Sequence, residues 1–214
     1  MLGLNNIHTD LALEDKERFD ADNVEVSGVS VEEYYDKDND IRLTEVKILT
    51  ENGARTMQRP IGTYLTMEIP NFVSSDEDYQ HEIAKQLAKN IKNIMKIEKE
   101  EYSALVVGLG NHNVTPDALG PHTIECLHIT RHIIREYGKY AIEDLKHPIS
   151  SIAPGVMAQT GMETYEIIKG IVDTTCPDIV FVIDALAARN TRRLNRTIQI
   201  TDTGIRPGSG VGNH

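Results

Sequence analysis

The chain has 214 residues, 40% of them hydrophobic, which is enough for one domain with a proper core. Lys and Arg number 22 against 33 Asp and Glu, a net charge of −11, which argues against a nucleic-acid backbone as the main partner; no Trp and three Phe leave few platforms for stacking bases. No apolar run approaches the ~20 residues that cross a bilayer, and the stretch MLGLNNIHTDLALED lacks the basic start and apolar centre of a secretory signal.

In chain order, residues 1 to about 22 are polar without a sustained period and read as a mobile or loosely docked arm. Val24 to Val31 and Ile41 to Leu49 alternate apolar and polar residues, as strands with one wet face do. The run Tyr35 to Asp40 between them is a turn, so the pair predicts a hairpin. That run resembles a calcium loop but lacks the glycine and the closing glutamate such a loop needs. Tyr64 to Ile69 predicts a third strand, closed by Pro70. Ser74-Ser75-Asp76-Glu77-Asp78 predicts a helix start, with acids where the dipole favours them. Ile83, Leu87, Ile91, Ile94 and Met95 then recur at helical spacing through Lys99.

Ala104 to Val107 is a short Val-rich run that predicts a buried strand. Gly108-Leu109-Gly110-Asn111 breaks it with a tight turn. Thr115-Pro116-Asp117 has the composition of a helix start, with Thr115 as N-cap, and Asp117 to Tyr137 is expected to be one helix. Ile149 to Ala153 is a short apolar run, Met162 to Asp173 an amphipathic helix, Asp178 to Ile183 the most apolar strand, and Arg196 to Thr201 alternates again. Apolar strands alternating with helices after residue 79 imply an α/β fold: a mixed, mostly parallel sheet flanked by helices, with the N-terminal strands adding an antiparallel layer. Cys126 and Cys176 lie far apart and read as buried reduced thiols, which suits a cytoplasmic protein.

Asp117 and Asp184 each follow an apolar strand, one through a glycine turn and one directly. In a parallel sheet both would lie at the carboxyl edge, where sites form in α/β folds. Two neighbouring carboxylates do not both ionise easily, so one can take a proton from water while the other protonates a leaving group. That is sufficient apparatus for hydrolysing an amide without a metal. The bland alternatives are a helix-dipole role for Asp117 and an ion pair of Asp184 with Arg189, Arg192 or Arg193. The same arginines could instead hold an acidic residue of a substrate.

Other constellations are weaker. Asn113 stands where a dinucleotide fingerprint needs its third glycine, and no P-loop lysine follows. His128 and His132, four apart on the expected helix, suit a metal pair, but no third ligand is evident, and neither a metal nor a cofactor is expected.

Three segments, GLGNHNVTPDALGP (108–121), SSIAPGVMAQTGMET (150–164) and VIDALAARNTRRLNRTIQITDTGIRPGSGVGN (182–213), resemble the germination protease family of spore-forming bacteria, as does the arm HTDLALE (8–14). A more distant likeness, through the GxGN turn followed by Asp, is to the hydrogenase maturation proteases. The resemblance implies an aspartic-type endopeptidase that begins the degradation of small acid-soluble spore proteins during germination. It implies Asp117 and Asp184 as the catalytic pair and a location in the cytoplasm of the forespore and spore core; of the arginines after Asp184, Arg189 is the one expected to bind the acidic residue before the cut, and Asn111 is expected to bind substrate as well. Family members are zymogens that lose an N-terminal segment, and their substrates are cut after an acidic residue and before a hydrophobic one followed by Ala, with Glu further on. Thr9 to Glu14 imitates that pattern, which places processing between Asp10 and Leu11, with residues 1–10 as pro-segment of a single α/β protease domain over 1–214. The chain stops at a glycine-rich segment that family members run past, so it is expected to lack their C-terminal part. Their homo-tetrameric assembly, with no membrane or direct nucleic-acid partner, is the implied state. Two rivals remain at this point: a maturation protease of a metalloenzyme precursor, with a metal seat near the glycine turn that could use His112, and a non-enzymatic acidic module that binds a protein.

Overall fold

The computed structural model describes residues 9–21, 26–74, 76–138 and 146–205. Residues 1–8 of the expected pro-segment, Val24 and Glu25 of the first expected strand, Ser75 and the glycine-rich tail from 206 lie outside the described residues. The elements run α1 (Ala12–Ala21), β1 (Val29–Asp36), β2 (Ile41–Ile48), α2 (Glu51–Met57), β3 (Gly62–Glu68), α3 (Glu77–Met95) and β4 (Ala104–Gly108). There follow α4 (Leu119–Glu125), α5 (Arg131–Tyr137), β5 (Ile149–Ile152), α6 (Met157–Thr160), α7 (Thr164–Thr175), β6 (Ile179–Ile183) and β7 (Thr197–Thr201). Parallel and antiparallel strands separate into two sheets, one in each of two compact units. Among the described residues no helix is long and apolar enough to cross a membrane.

The first unit extends to Ile97 and resumes over Leu186–Gly204. Its sheet is antiparallel, in the order β1-β2-β3-β7. The predicted hairpin is there, with Asp36 facing Ile41 across its turn. The alternation of β2 divides two apolar clusters between the sheet's faces. Val46 and Ile48 join Ala12, Met57 and Tyr64 on the face covered by α1 and α2. Ile41 and Leu43 join Met67, Ile69, Ile83 and Leu87 on the face covered by α3. Helix α3 starts where its acids predict, with Asp76 as N-cap accepting from the Tyr79 N–H, but it ends at Met95 rather than Lys99.

The N-terminal arm departs from expectation. Helix α1 is docked, and Leu11, Ala12 and Leu13 are buried. The cause is chemical rather than periodic. Glu14, also buried, accepts hydrogen bonds from the backbone N–H groups of Arg189 and Asn190 at 2.7 and 2.9 Å. Arg193, itself 8% exposed, reaches Glu17, Glu68 and Glu14 at 2.6, 2.7 and 3.4 Å. Burial would raise the Glu14 carboxyl, but hydrogen bonds from Thr9, Asn190 and Arg189 together with the Arg193 charge outweigh it and hold the group below its ordinary value.

The second unit spans Glu98–Ala185. Its sheet is parallel, in the order β5-β4-β6, and every residue of the central strand β4 is buried. Leu105, Val107 and Leu109 pack against Ile168, Ile171 and Val172 of α7. Register is pinned at the amino ends of β4 and β6. Ser103 donates both its N–H and its hydroxyl to Asp178 at 2.9 Å, and Asp178 also pairs with Lys99. These bonds, that to Lys99 first, depress the Asp178 carboxyl strongly.

The expected single helix from Asp117 to Tyr137 is broken. Thr115–Asp117 is a turn of 3-10 helix, α4 ends at Glu125 and α5 begins at Arg131. Thr130 explains the break. Its N–H donates to Ile149 O at 3.1 Å, and its hydroxyl accepts from the Ile149 N–H at 2.9 Å. These bonds stitch the chain to the start of β5 instead of continuing the helix. Thr115 is not the cap; Val114 holds that position, without a side-chain bond. The two cysteines are free thiols but exposed, not buried, because each is the C-cap of a helix, Cys126 of α4 and Cys176 of α7.

Candidate active site

The turn after β4 is built from backbone. Gly110 has φ +112°, and a Cβ there would lie 2.0 Å from the carbonyl oxygen of Asp117, so only glycine permits the approach. Through it, the Asn111 N–H meets Asp117, donating to carboxylate Oδ2 at 2.8 Å and to the carbonyl oxygen at 3.1 Å. Gly120 plays the matching part in α4, where an added Cβ would fall 2.2 Å from Leu109 O and 2.7 Å from Ile183 O. The helix behind Asp117 is therefore seated directly on the ends of β4 and β6.

Asp184 enters the same edge from β6. Strands β4 and β6 are parallel, with Gly108 opposite Ile183, and the Leu109 N–H donates to Ile183 O at 2.8 Å. Asp184 is thus the next residue beyond the pairing that begins the glycine turn. Its Oδ1 accepts from the Ala185 N–H at 2.9 Å. Asp117 and Asp184 are both half-buried.

A third loop reaches the turn from β5. Gln159 of α6 donates from Nε2 to Asn111 Oδ1 at 3.2 Å, and the same oxygen accepts from the Asn113 N–H at 3.0 Å. The Asn111 side chain is thus bound within the turn, while its backbone N–H holds Asp117. Gln159 was not singled out from the sequence; its signal was membership in the segment 150–164. The carboxyl ends of all three parallel strands therefore contribute, as expected for an α/β site.

Arg189, Asp10 and Leu11 lie in the first unit. Arg189 donates from Nη2 to Glu14 O at 2.6 Å, so its guanidinium is engaged by the arm. Asp10 and Ala187 exchange backbone and side-chain bonds: the Asp10 N–H donates to Ala187 O at 2.8 Å, and the Ala187 N–H donates to Asp10 Oδ2 at 2.7 Å. Leu11 is fully buried, and Gln199 straddles the Asp10–Leu11 junction, donating to Asp10 O at 2.8 Å and accepting from the Ala12 N–H at 2.9 Å. His128 and His132 do not share a helical face, since His128 falls in the break before α5.

Comparison with known proteins gives the family. A family profile described as germination protease matches residues 7–214. A germination protease of Clostridium tetani is 48% identical over 97% of this chain and 64% of its own length. One from Caldanaerobacter subterraneus subsp. tengcongensis is 47% identical over 97% and 62%, and one from Geobacillus sp. is 45% identical over 99% and 59%. The chain thus spans less than two thirds of each of these relatives. The chain belongs to the germination protease family.

Proposed function

We propose that this chain carries the catalytic centre of an aspartic-type endopeptidase that starts the breakdown of small acid-soluble spore proteins in the spore core, with Asp117 and Asp184 acting on a water molecule. The observation that carries the reading is the shared edge: Asp184 follows the residue paired with Gly108, and Asp117 is held by Asn111 of the turn that starts there. One carboxylate takes a proton from water as its oxygen attacks the peptide carbonyl. The other then gives a proton to the departing nitrogen as the carbon–nitrogen bond breaks. Asn111 acts through its N–H, keeping Asp117 oriented. Membership in a protease family supports the hydrolytic assignment.

The arm supports self-processing between Asp10 and Leu11. Thr9 to Glu14 presents an acidic residue, a hydrophobic one, Ala and then Glu, the order expected of substrates. Arg189 meets Glu14 of this segment, its backbone N–H donating to the carboxylate and its Nη2 to the main-chain carbonyl oxygen. Assembly as a homo-tetramer belongs to the same proposal.

The test is replacement of either aspartate by Asn in the whole protein, assayed on a spore-protein peptide. Each variant should fold and lose at least about 10³-fold in kcat, the order contributed by a positioned acid or base. Cleavage at the normal rate by either variant would overturn the assignment.

A further inference from the structure

On the outward side of the turn, three groups meet that spacing alone did not pair. His112 of the turn and His122 and Glu125 of α4 each bring one ligand atom within 4.8 Å of the others. His122 Nδ1 lies 3.2 Å from Glu125 Oε2, and His112 Nδ1 lies 3.6 Å from Glu125 Oε1. The two imidazole centroids are 4.6 Å apart. Two imidazoles and a carboxylate are borderline and hard donors in the mixture that zinc-class cations take. Bonds of about 2.1 Å at tetrahedral angles put ligand atoms roughly 3.4 Å apart. The two distances to Glu125 bracket that value.

The mounting is rigid although the side chains are exposed. His112 follows Asn111, whose N–H is bound to Asp117 and whose side chain is bound to Gln159. His122 and Glu125 are one turn apart on the helix that Gly120 seats on β4. A cation therefore meets ligands whose backbones are already placed, and three protein ligands leave room for water.

We propose that His112, His122 and Glu125 form a three-ligand site for a zinc-class divalent cation, on the same turn and helix that carry Asp117. The ion would clamp the turn to α4 from outside and takes no part in the two-carboxylate chemistry.

The test is calorimetric titration of the dialysed, tag-free protein with Zn²⁺, with Mg²⁺ as the hard-cation comparison. One equivalent of zinc should bind, and magnesium should not compete for it. His112→Ala, His122→Ala and Glu125→Gln should each weaken binding by at least about tenfold, the scale lost when even an outer-shell partner of a metal ligand is removed. His128→Ala and Cys126→Ser, which alter exposed neighbours outside the trio, should bind as the unaltered protein does. No saturable zinc binding, binding indifferent to the three substitutions, or equal loss in the His128 or Cys126 variant would overturn the site. Because the readout is binding, its outcome is independent of whether the aspartates cleave peptides.

Discussion

The backbone N–H of Asn111 donates to Asp117 twice, to carboxylate Oδ2 at 2.8 Å and to the carbonyl oxygen at 3.1 Å. The donor is backbone, so no change of the Asn111 side chain removes it, but enlarging the residue before it displaces it. In Gly110→Ala the new Cβ would press on Asp117 O, and the backbone would have to leave φ +112°. Overpacking of this kind costs about 1–3 kcal/mol of stability. A shift of about 1 Å at the reacting groups costs on the order of 10²-fold in rate. The variant should therefore remain folded at 25 °C while kcat/KM falls about 10²-fold. Thermal unfolding and peptide cleavage measured on one preparation check this; full activity with an unchanged Tm would show that the turn does not position Asp117.

Arg193 should matter for stability more than any other arginine of its cluster. Replaced by Ala, it leaves the buried Glu14 without its cation and strands Glu17 and Glu68 beside it. Removing one partner of a buried ionic group typically costs about 3–5 kcal/mol. Urea unfolding of Arg193→Ala should show a lower midpoint at unchanged slope, whereas Arg192→Ala, on an exposed residue, should be near neutral.

The same network sets an acid limit. The Glu14 carboxyl is held below the ordinary glutamate value in the folded chain. A depressed carboxyl contributes stability that is fully present above the unfolded value and is lost as pH falls through the folded one. Stability of the first unit should therefore decline below about pH 4.5, and Glu14→Gln should be weaker at pH 7 yet flatter against acid. A variant as acid-sensitive as the parent would assign the decline to other carboxylates.

Gln199 gives the processing proposal a separate handle. Its amide bonds to both sides of the Asp10–Leu11 junction, and Leu11 is fully buried, so a protease reaches that bond only after the arm undocks. Two hydrogen bonds at about 1 kcal/mol each make undocking roughly tenfold or more easier in Gln199→Ala. With Asp117 also changed to Asn to prevent self-cleavage, an added protease should clip residues 9–14 faster by that factor, read by mass spectrometry. An unchanged rate would mean that the Glu14 contacts alone hold the arm.

How much of this was legible beforehand follows from the kind of force at work. The strands were readable because burial imprints a period of two or an apolar run, as in Ile41–Ile48 and Ile179–Ile183. Glycine before a strand-end carboxylate marked Asp117, and strand polarity marked Asp184. The break at Thr130 was not readable, because it depends on bonds to Ile149, nineteen residues away. Nor was the docking of α1, which rests on Glu14 and Arg193 meeting across 179 residues. The spacing of His128 and His132 misled for the same reason: helical periodicity holds only while the helix lasts.

The seating of α4 through Gly120 has a practical consequence. The contact of the exposed Asn113 with Asn111 Oδ1 runs through its backbone N–H and not its amide, so the side chain at this position can be altered without removing it. A dye attached at residue 113, once the exposed Cys126 and Cys176 have been replaced by Ser, would ride on a fixed mount three residues beyond Gly110 and report optically when a peptide arrives.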